Sequence, residues 1–236
     1  MATTDPDYFD IKDYYVSNKK YCITFFKRAA SSGKKAILSK YGIEKGNTVI
    51  SMVKTEYENL LPHIPYVGEI NIMQRQMLLT VIFLSFYNIL KDEEKLGDIW
   101  ELCNSFNKAT LMSMPGFARK ILKMSIFSKR MKNNFKKMAK DHKARNLADQ
   151  WDYMEGDGVT FDYGINMKRC AKLIFLNKMG AEEFAPYVCL IDKNFAECCN
   201  YGLKRTMVLA EGADYCDFRF SRTGPVNVIT SVNIRN

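Results

Sequence analysis

Along the first 150 residues, apolar side chains recur three and four positions apart, the period that turns one face of an α-helix toward a core. Ile11, Tyr14, Tyr15, Cys22, Phe25, Phe26 and Ala29 predict helix over 8–41, broken near Ser31-Ser32-Gly33. A second helix is expected over 48–61, stopped by Pro62. Leu61-Pro62-His63-Ile64-Pro65-Tyr66-Val67-Gly68 then reads as a loop whose backbone two prolines and a glycine fix. The segment 70–90 is apolar on most sides and predicts a buried helix, and 96–108 predicts another. Phe127, Met131, Phe135 and Met138 share one helical face inside a strongly basic stretch, 119–145.

After Trp151 the period changes. Glu155-Gly156-Asp157-Gly158 is a turn signal, and Val159, Phe161, Tyr163 and Ile165 alternate with Thr160, Asp162, Gly164 and Asn166, which predicts a strand. Helices are expected over 167–177 and 186–201. Strands over 203–210 and 215–222 are joined by the loop Glu211-Gly212-Ala213-Asp214. The sum is an α+β fold: a helical N-terminal layer packed on a small, mainly antiparallel C-terminal sheet with intervening helices. The expected organisation is one domain over 1–236, mostly helical over 1–150, α+β over 151–222, with a C-terminal tail over 223–236.

Composition sharpens this picture only in places. With 236 residues, 47% of them hydrophobic, the chain can bury one substantial core. Seven cysteines in no regular spacing, behind an acidic and polar start (MATTDPDYFD), predict a cytoplasmic protein with reduced thiols. The longest apolar run, 77–90, contains Thr80, Ser85 and Asn88 and falls short of the roughly 18 residues a membrane span needs.

The net charge of +9 is concentrated locally: residues 119–145 hold eleven Lys or Arg and one acid, Asp141. That stretch fits either a basic amphipathic helix for a membrane surface or acidic partner, or an ordinary helix with a solvated basic face. The ordinary helix is favoured. The stretch lacks the aromatic stacking platform expected for single-stranded nucleic acid, and no nucleic-acid partner is expected.

The chain carries no Gly-x-Ser-x-Gly elbow, no phosphate-binding Gly-Lys-Ser loop, no His-Glu-x-x-His helix and no Cys-x-x-Cys pair. Of its two histidines, His63 sits between prolines, where it could line a site, and His142 in the basic stretch is expected to be solvated. Chemistry therefore falls to thiols, carboxylates and a guanidinium in the last third. Cys198 and Cys199 are adjacent, diverge by roughly 100° on a helix and read as packing. Cys170, Cys189 and Cys216 remain as a frame, either for a thiolate metal site of no standard zinc spacing or for a pocket.

Cys189 and Asp192, three apart on an expected helix, face the same side, and the carboxylate would raise the thiol's pKa. Cys216 alternates with Phe218 and Phe220, which also suits a thiol on the core face of a strand. Arg205, in an expected strand shared with Leu203, Met207 and Leu209, needs a carboxylate from the protein or from a ligand.

Taken in order, these segments resemble the L-2-amino-thiazoline-4-carboxylic acid hydrolase family. Leu61-Pro62-His63-Ile64-Pro65-Tyr66-Val67-Gly68 resembles its Pro-Tyr-Ile-Gly-Gly loop, with Glu69 where the family often has a second glycine. Gly156-Asp157-Gly158 and Phe161-Asp162-Tyr163-Gly164, on to Cys170, resemble its central strand entering a helix. Cys189-Leu190-Ile191-Asp192, Arg205-Thr206, Glu211-Gly212 and Cys216-Asp217-Phe218-Arg219-Phe220 resemble its closing signature. The likeness runs from about residue 50 to 222.

The resemblance implies a hydrolase that opens 2-amino-thiazoline-4-carboxylate to N-carbamoyl-cysteine, with no cofactor. Cys189, Asp192 and Cys216 are then the catalytic candidates, and Arg205, Cys170, Tyr66 and His63 the substrate-binding ones. The expected partner is a small zwitterionic heterocycle, and association of copies is left open. The alternatives are a non-catalytic binding module of the same fold or a thiolate metal-binding protein.

Overall fold

A computed structural model describes residues 13–69 and 72–232. Residues 8–12 and 70–71, parts of two expected helices, and residues 233–236 of the expected tail lie outside the described residues. Seven helices come first: α1 (Tyr14–Ser17), α2 (Lys19–Tyr41), α3 (Ile43–Leu60), α4 (Ile72–Leu90), α5 (Leu96–Met112), α6 (Gly116–Ile126) and α7 (Lys129–Ala144). Strands β1 (Gln150–Glu155) and β2 (Tyr163–Arg169) follow, then α8 (Ala171–Lys178), α9 (Ala185–Val188) and α10 (Ile191–Cys199). Strands β3 (Gly202–Arg205), β4 (Cys216–Ser221) and β5 (Val226–Val228) close the fold. The α+β class and the segregation of helices toward the N-terminus are as expected.

The five strands form one open sheet in the order β1-β2-β4-β3-β5, antiparallel except for the parallel β3–β5 pair. Register decides what its faces carry. Tyr163 pairs with Phe220, Ile165 with Phe218, Met167 with Cys216, and Leu203 with Phe220. Because side chains alternate, Tyr163, Ile165 and Met167, then Cys216, Phe218 and Phe220, then Leu203 and Arg205 share one face.

Several expectations need correction. Helix α2 runs unbroken through Ser31-Ser32-Gly33, because Gly33 is a contact point rather than a turn. A Cβ there would sit 2.2 Å from the buried Phe106 ring of α5, so the missing side chain lets the two helices touch. The basic stretch is two helices, and Ser128 separates them by accepting the Met131 N–H at 3.1 Å as an N-cap. The expected strand over 159–165 starts only at Tyr163. Asp157 holds 159–161 in a loop, accepting the backbone N–H groups of Val159 and Thr160 at 2.9 and 2.7 Å and the Thr160 hydroxyl at 2.6 Å.

Strand β2 then runs on to Arg169, so the following helix begins at Ala171, where Asp149 accepts the backbone N–H at 2.7 Å. The expected strand over 203–210 ends at Arg205. Asp217 of β4 bends the chain there, accepting the Thr206 and Met207 N–H groups at 2.7 and 2.6 Å. The expected helix over 186–201 is split into α9 and α10. The segment expected as a tail supplies β5, and β1 was not foreseen as a strand.

His142 is also corrected. It is buried, its Nδ1 donates to the Asp149 carbonyl at 3.0 Å, and its ring stands edge-on to Trp151 at 4.8 Å. The basic charges of α7 surround it in sequence, but its face of the helix packs on the sheet.

Candidate active site

The aromatic face of the sheet is the floor of a cavity of about 120 Å³, roofed by helices. Cys170, Cys189, Asp192, Arg205 and Cys216 all line it. Each arrives by a different local route. Arg205 and Cys216 stand on the shared sheet face of β3 and β4. Cys170 is the residue at which β2 turns into α8. Cys189 is the C-cap residue of α9, and Asp192 lies in the first turn of α10. The intervening Leu190 keeps a helical backbone, so both side chains still reach the cavity.

Arg205 is the key cation, with only 1% of its surface exposed. One guanidinium nitrogen, Nη1, donates to Asp192 Oδ2 at 3.3 Å, and the guanidinium carbon lies 5.2 Å over the Phe218 ring. Nε and Nη2 are buried without a hydrogen-bond partner among the described residues. A buried charged donor left unpaired costs more than an ordinary hydrogen bond contributes. Together Nε and Nη2 form one edge of the planar guanidinium fork, the geometry that matches a carboxylate in a bidentate pair.

A second cation was missed by the sequence reading. Lys172, two residues past Cys170, lines the same cavity and lies 3.5 Å from Gln76 Oε1 of α4. Burial favours loss of its proton, but Asp192, then Cys170, Cys189 and Asp149, outweigh this, and its pKa is raised overall. It stays an ammonium. Its position at the start of a short helix after a strand gave no sequence signal.

The thiols are held in the opposite sense. Burial pushes Cys170 up to about 12, against the opposing pull of Lys172. It pushes Cys189 up to about 11, with Arg205 and Lys172 opposing, and Cys216 up to about 11, opposed first by the Leu209 N–H on its sulfur at 3.3 Å. At pH 7 a thiol of pKa about 11 is ionised in roughly one molecule in ten thousand. The rise expected beside Asp192 is present, but burial and not the carboxylate is its main cause.

Away from the polar cluster, aromatic rings continue the wall. Phe218 stacks on Phe220 at 6.1 Å, Phe220 on Tyr163 at 4.7 Å, and Tyr163 on Phe135 of α7 at 6.0 Å. Leu122 and Ile126 of α6 close this end. His63 and Tyr66 are not among the residues that line the cavity. His63 is exposed. Tyr66 is buried with its ring 5.0 Å from that of Tyr14 and beneath the Arg145 guanidinium at 5.8 Å. Among the described residues no group of three or more His, Cys, Asp or Glu is placed to hold a metal ion, and no helix is long and apolar enough to cross a membrane.

Fold and cavity together give an α+β protein whose small cavity brings Arg205, Lys172 and Asp192 onto one lining. A family model described as L-2-amino-thiazoline-4-carboxylic acid hydrolase matches residues 81–220, more than half of the chain, and the chain belongs to this family. The match holds all five clustered residues and Lys172, and leaves the 61–68 loop outside. Neither the curated proteins nor the solved structures contain a match.

Proposed function

We propose that the chain hydrolyses a small carboxylate-bearing cyclic amidine such as 2-amino-thiazoline-4-carboxylate, opening the ring to N-carbamoyl-cysteine. The observation that carries this reading is the Arg205 guanidinium, buried with Nε and Nη2 unpaired in a cavity shared with Asp192 and Lys172. Size supports it. An apolar cavity of about 150 Å³ takes up benzene, so about 120 Å³ suits a single five-membered ring.

In this scheme Arg205 takes the substrate carboxylate and the Phe218 face packs against the ring. Asp192, the one carboxylate among the residues that line the cavity, removes a proton from the attacking water. Oxygen bonds to C2, the C2–S bond breaks, and the sulfur leaves as a thiolate facing the Lys172 ammonium. One water proton ends on the ring nitrogen and the other, carried by Asp192, on sulfur. Cys189 and Cys216 act as neutral walls beside the ring, since their raised pKa values disfavour direct attack by a thiolate. All seven cysteines are free, which suits the proposed cytoplasmic setting, and we take the chain as one domain.

The test is incubation with the thiazoline and quantification of N-carbamoyl-cysteine by mass spectrometry. Asp192→Asn is expected to lower the rate by about a hundredfold or more. Cys189→Ser and Cys216→Ser should each keep at least about a tenth of it, because neither removes a transition-state charge. No product above a blank defeats the proposal for this substrate. Loss of all turnover in either serine variant, with the fold retained, would return the attack to a thiol.

A further inference from the structure

Helix α6 turns two apolar faces outward from its axis, and only one of them is covered. Leu122 and Ile126 look into the cavity. On the other side Phe117, Ile121 and Met124, spaced four and three apart, are 70%, 60% and 65% exposed, and Met112 at the end of α5 is 55% exposed. This is unlike α7, whose Phe135 and Met131 point inward as an ordinary helix requires. Lone exposed apolar residues are common, but three on one face of a helix are not.

Beside the ridge runs an open groove of about 740 Å³, lined by Met124 together with Arg119, Lys120, Lys123, Lys129 and Arg222. No acid occurs anywhere in 112–140, and Glu197 of the neighbouring α10 is engaged by Lys108 and Lys193 at 3.4 and 3.9 Å. Lys123 also donates to the Asn200 carbonyl at the groove's edge.

We propose that this face docks on an anionic phospholipid surface, with the ridge entering the acyl boundary and headgroup phosphates occupying the basic groove. The charge argues for it over a second copy, which would bring the same positive groove against itself. A convex ridge of Phe, Ile and Met also suits a fluid surface better than a fixed protein socket. The site is separate from the catalytic cluster, so the proposal stands independently of the hydrolase reading.

The full chain is cosedimented with phosphatidylcholine vesicles, with and without about a third phosphatidylglycerol. Binding is expected only to the anionic vesicles, weakening steeply at about 0.5 M salt. Lys120→Glu/Lys123→Glu should lower the affinity by at least about thirtyfold, and Ile121→Ser/Met124→Ser should also lower it. These four positions are exposed or half-buried at the surface, so the variants fold. Absence of binding to anionic vesicles overturns the proposal. So does unchanged binding of the serine pair with full competition by polyglutamate, which marks an acidic protein partner. Self-association abolished by the serine pair, without vesicle binding, assigns the ridge to a second copy and also overturns it.

Discussion

Replacing Arg205 with methionine separates a residue that holds the fold together from one that is held ready for a ligand. As a buried member of an ion pair, Arg205 should cost about 3–5 kcal/mol on removal. Two features cut this down. Methionine also removes two buried, unpaired N–H donors, each costing about 1–3 kcal/mol in the unliganded protein. Asp192, moreover, keeps Lys172 as a countercharge in the same cavity. The opposing effects leave a net change within about 2 kcal/mol. Asp192→Ala is not symmetric with it, because it strands a fully buried guanidinium with no anion and should cost about 3–5 kcal/mol. For ligand binding, Arg205→Met forfeits two charge-assisted hydrogen bonds worth about 1.5–3 kcal/mol each, or roughly a hundredfold to ten-thousandfold in affinity. Urea unfolding of both variants without ligand, and calorimetric titration with the thiazoline, supply the two readings. A loss above about 4 kcal/mol in unliganded Arg205→Met would refute the reasoning, since Arg205 would then be a structural cation.

Gly33→Ala should gain about 1 kcal/mol in helix propensity but lose more to the Phe106 ring 2.2 Å from the new Cβ, for a net destabilisation of about 1–2 kcal/mol in urea unfolding. A stabilised variant would mean that α2 and α5 can part without cost. Alkylation of Cys189 and Cys216 should be slow at pH 7 and rise about tenfold per pH unit toward pH 10, because burial pushes both thiols up to about 11; a plateau near neutrality would contradict this. Burial raises the Asp149 pKa, so its neutral form is the one the fold favours. Its contribution is then full below about pH 4 and is lost as pH rises through the raised folded value. Asp149→Asn should therefore compare best with the parent at pH 7 and worst near pH 4 in paired urea titrations; a gap independent of pH would refute the assignment.

The site was legible where it followed period and spacing. Cys216, Phe218 and Phe220 lie on one face because a strand alternates, and Cys189 reaches the same side as Asp192 because helical backbone persists between them. Lys172 was invisible, since what places it on the cavity is its packing against Gln76 of α4 and the charge of Asp192 of α10, both distant in sequence. The misplaced ends of β2 and β3 share a cause. Asp157 and Asp217 each gather backbone N–H groups and bend the chain, and apolar pattern cannot register a side chain acting on its neighbours' backbone. His142 failed for a related reason: the charges beside it in sequence lie on other faces of its helix.

The parallel pairing of β3 with β5 ties the pocket's cation to the order of synthesis. Arg205 sits opposite Val228, and its carbonyl accepts the Ile229 N–H at 3.0 Å. The thiols up to Cys189, Asp192 and Lys172 all leave the ribosome well before Val228. Until the chain has grown that far, β3 has only β4 beside it. The cation of the cavity is thus framed on both sides of its strand only once the nascent chain has been extended through β5.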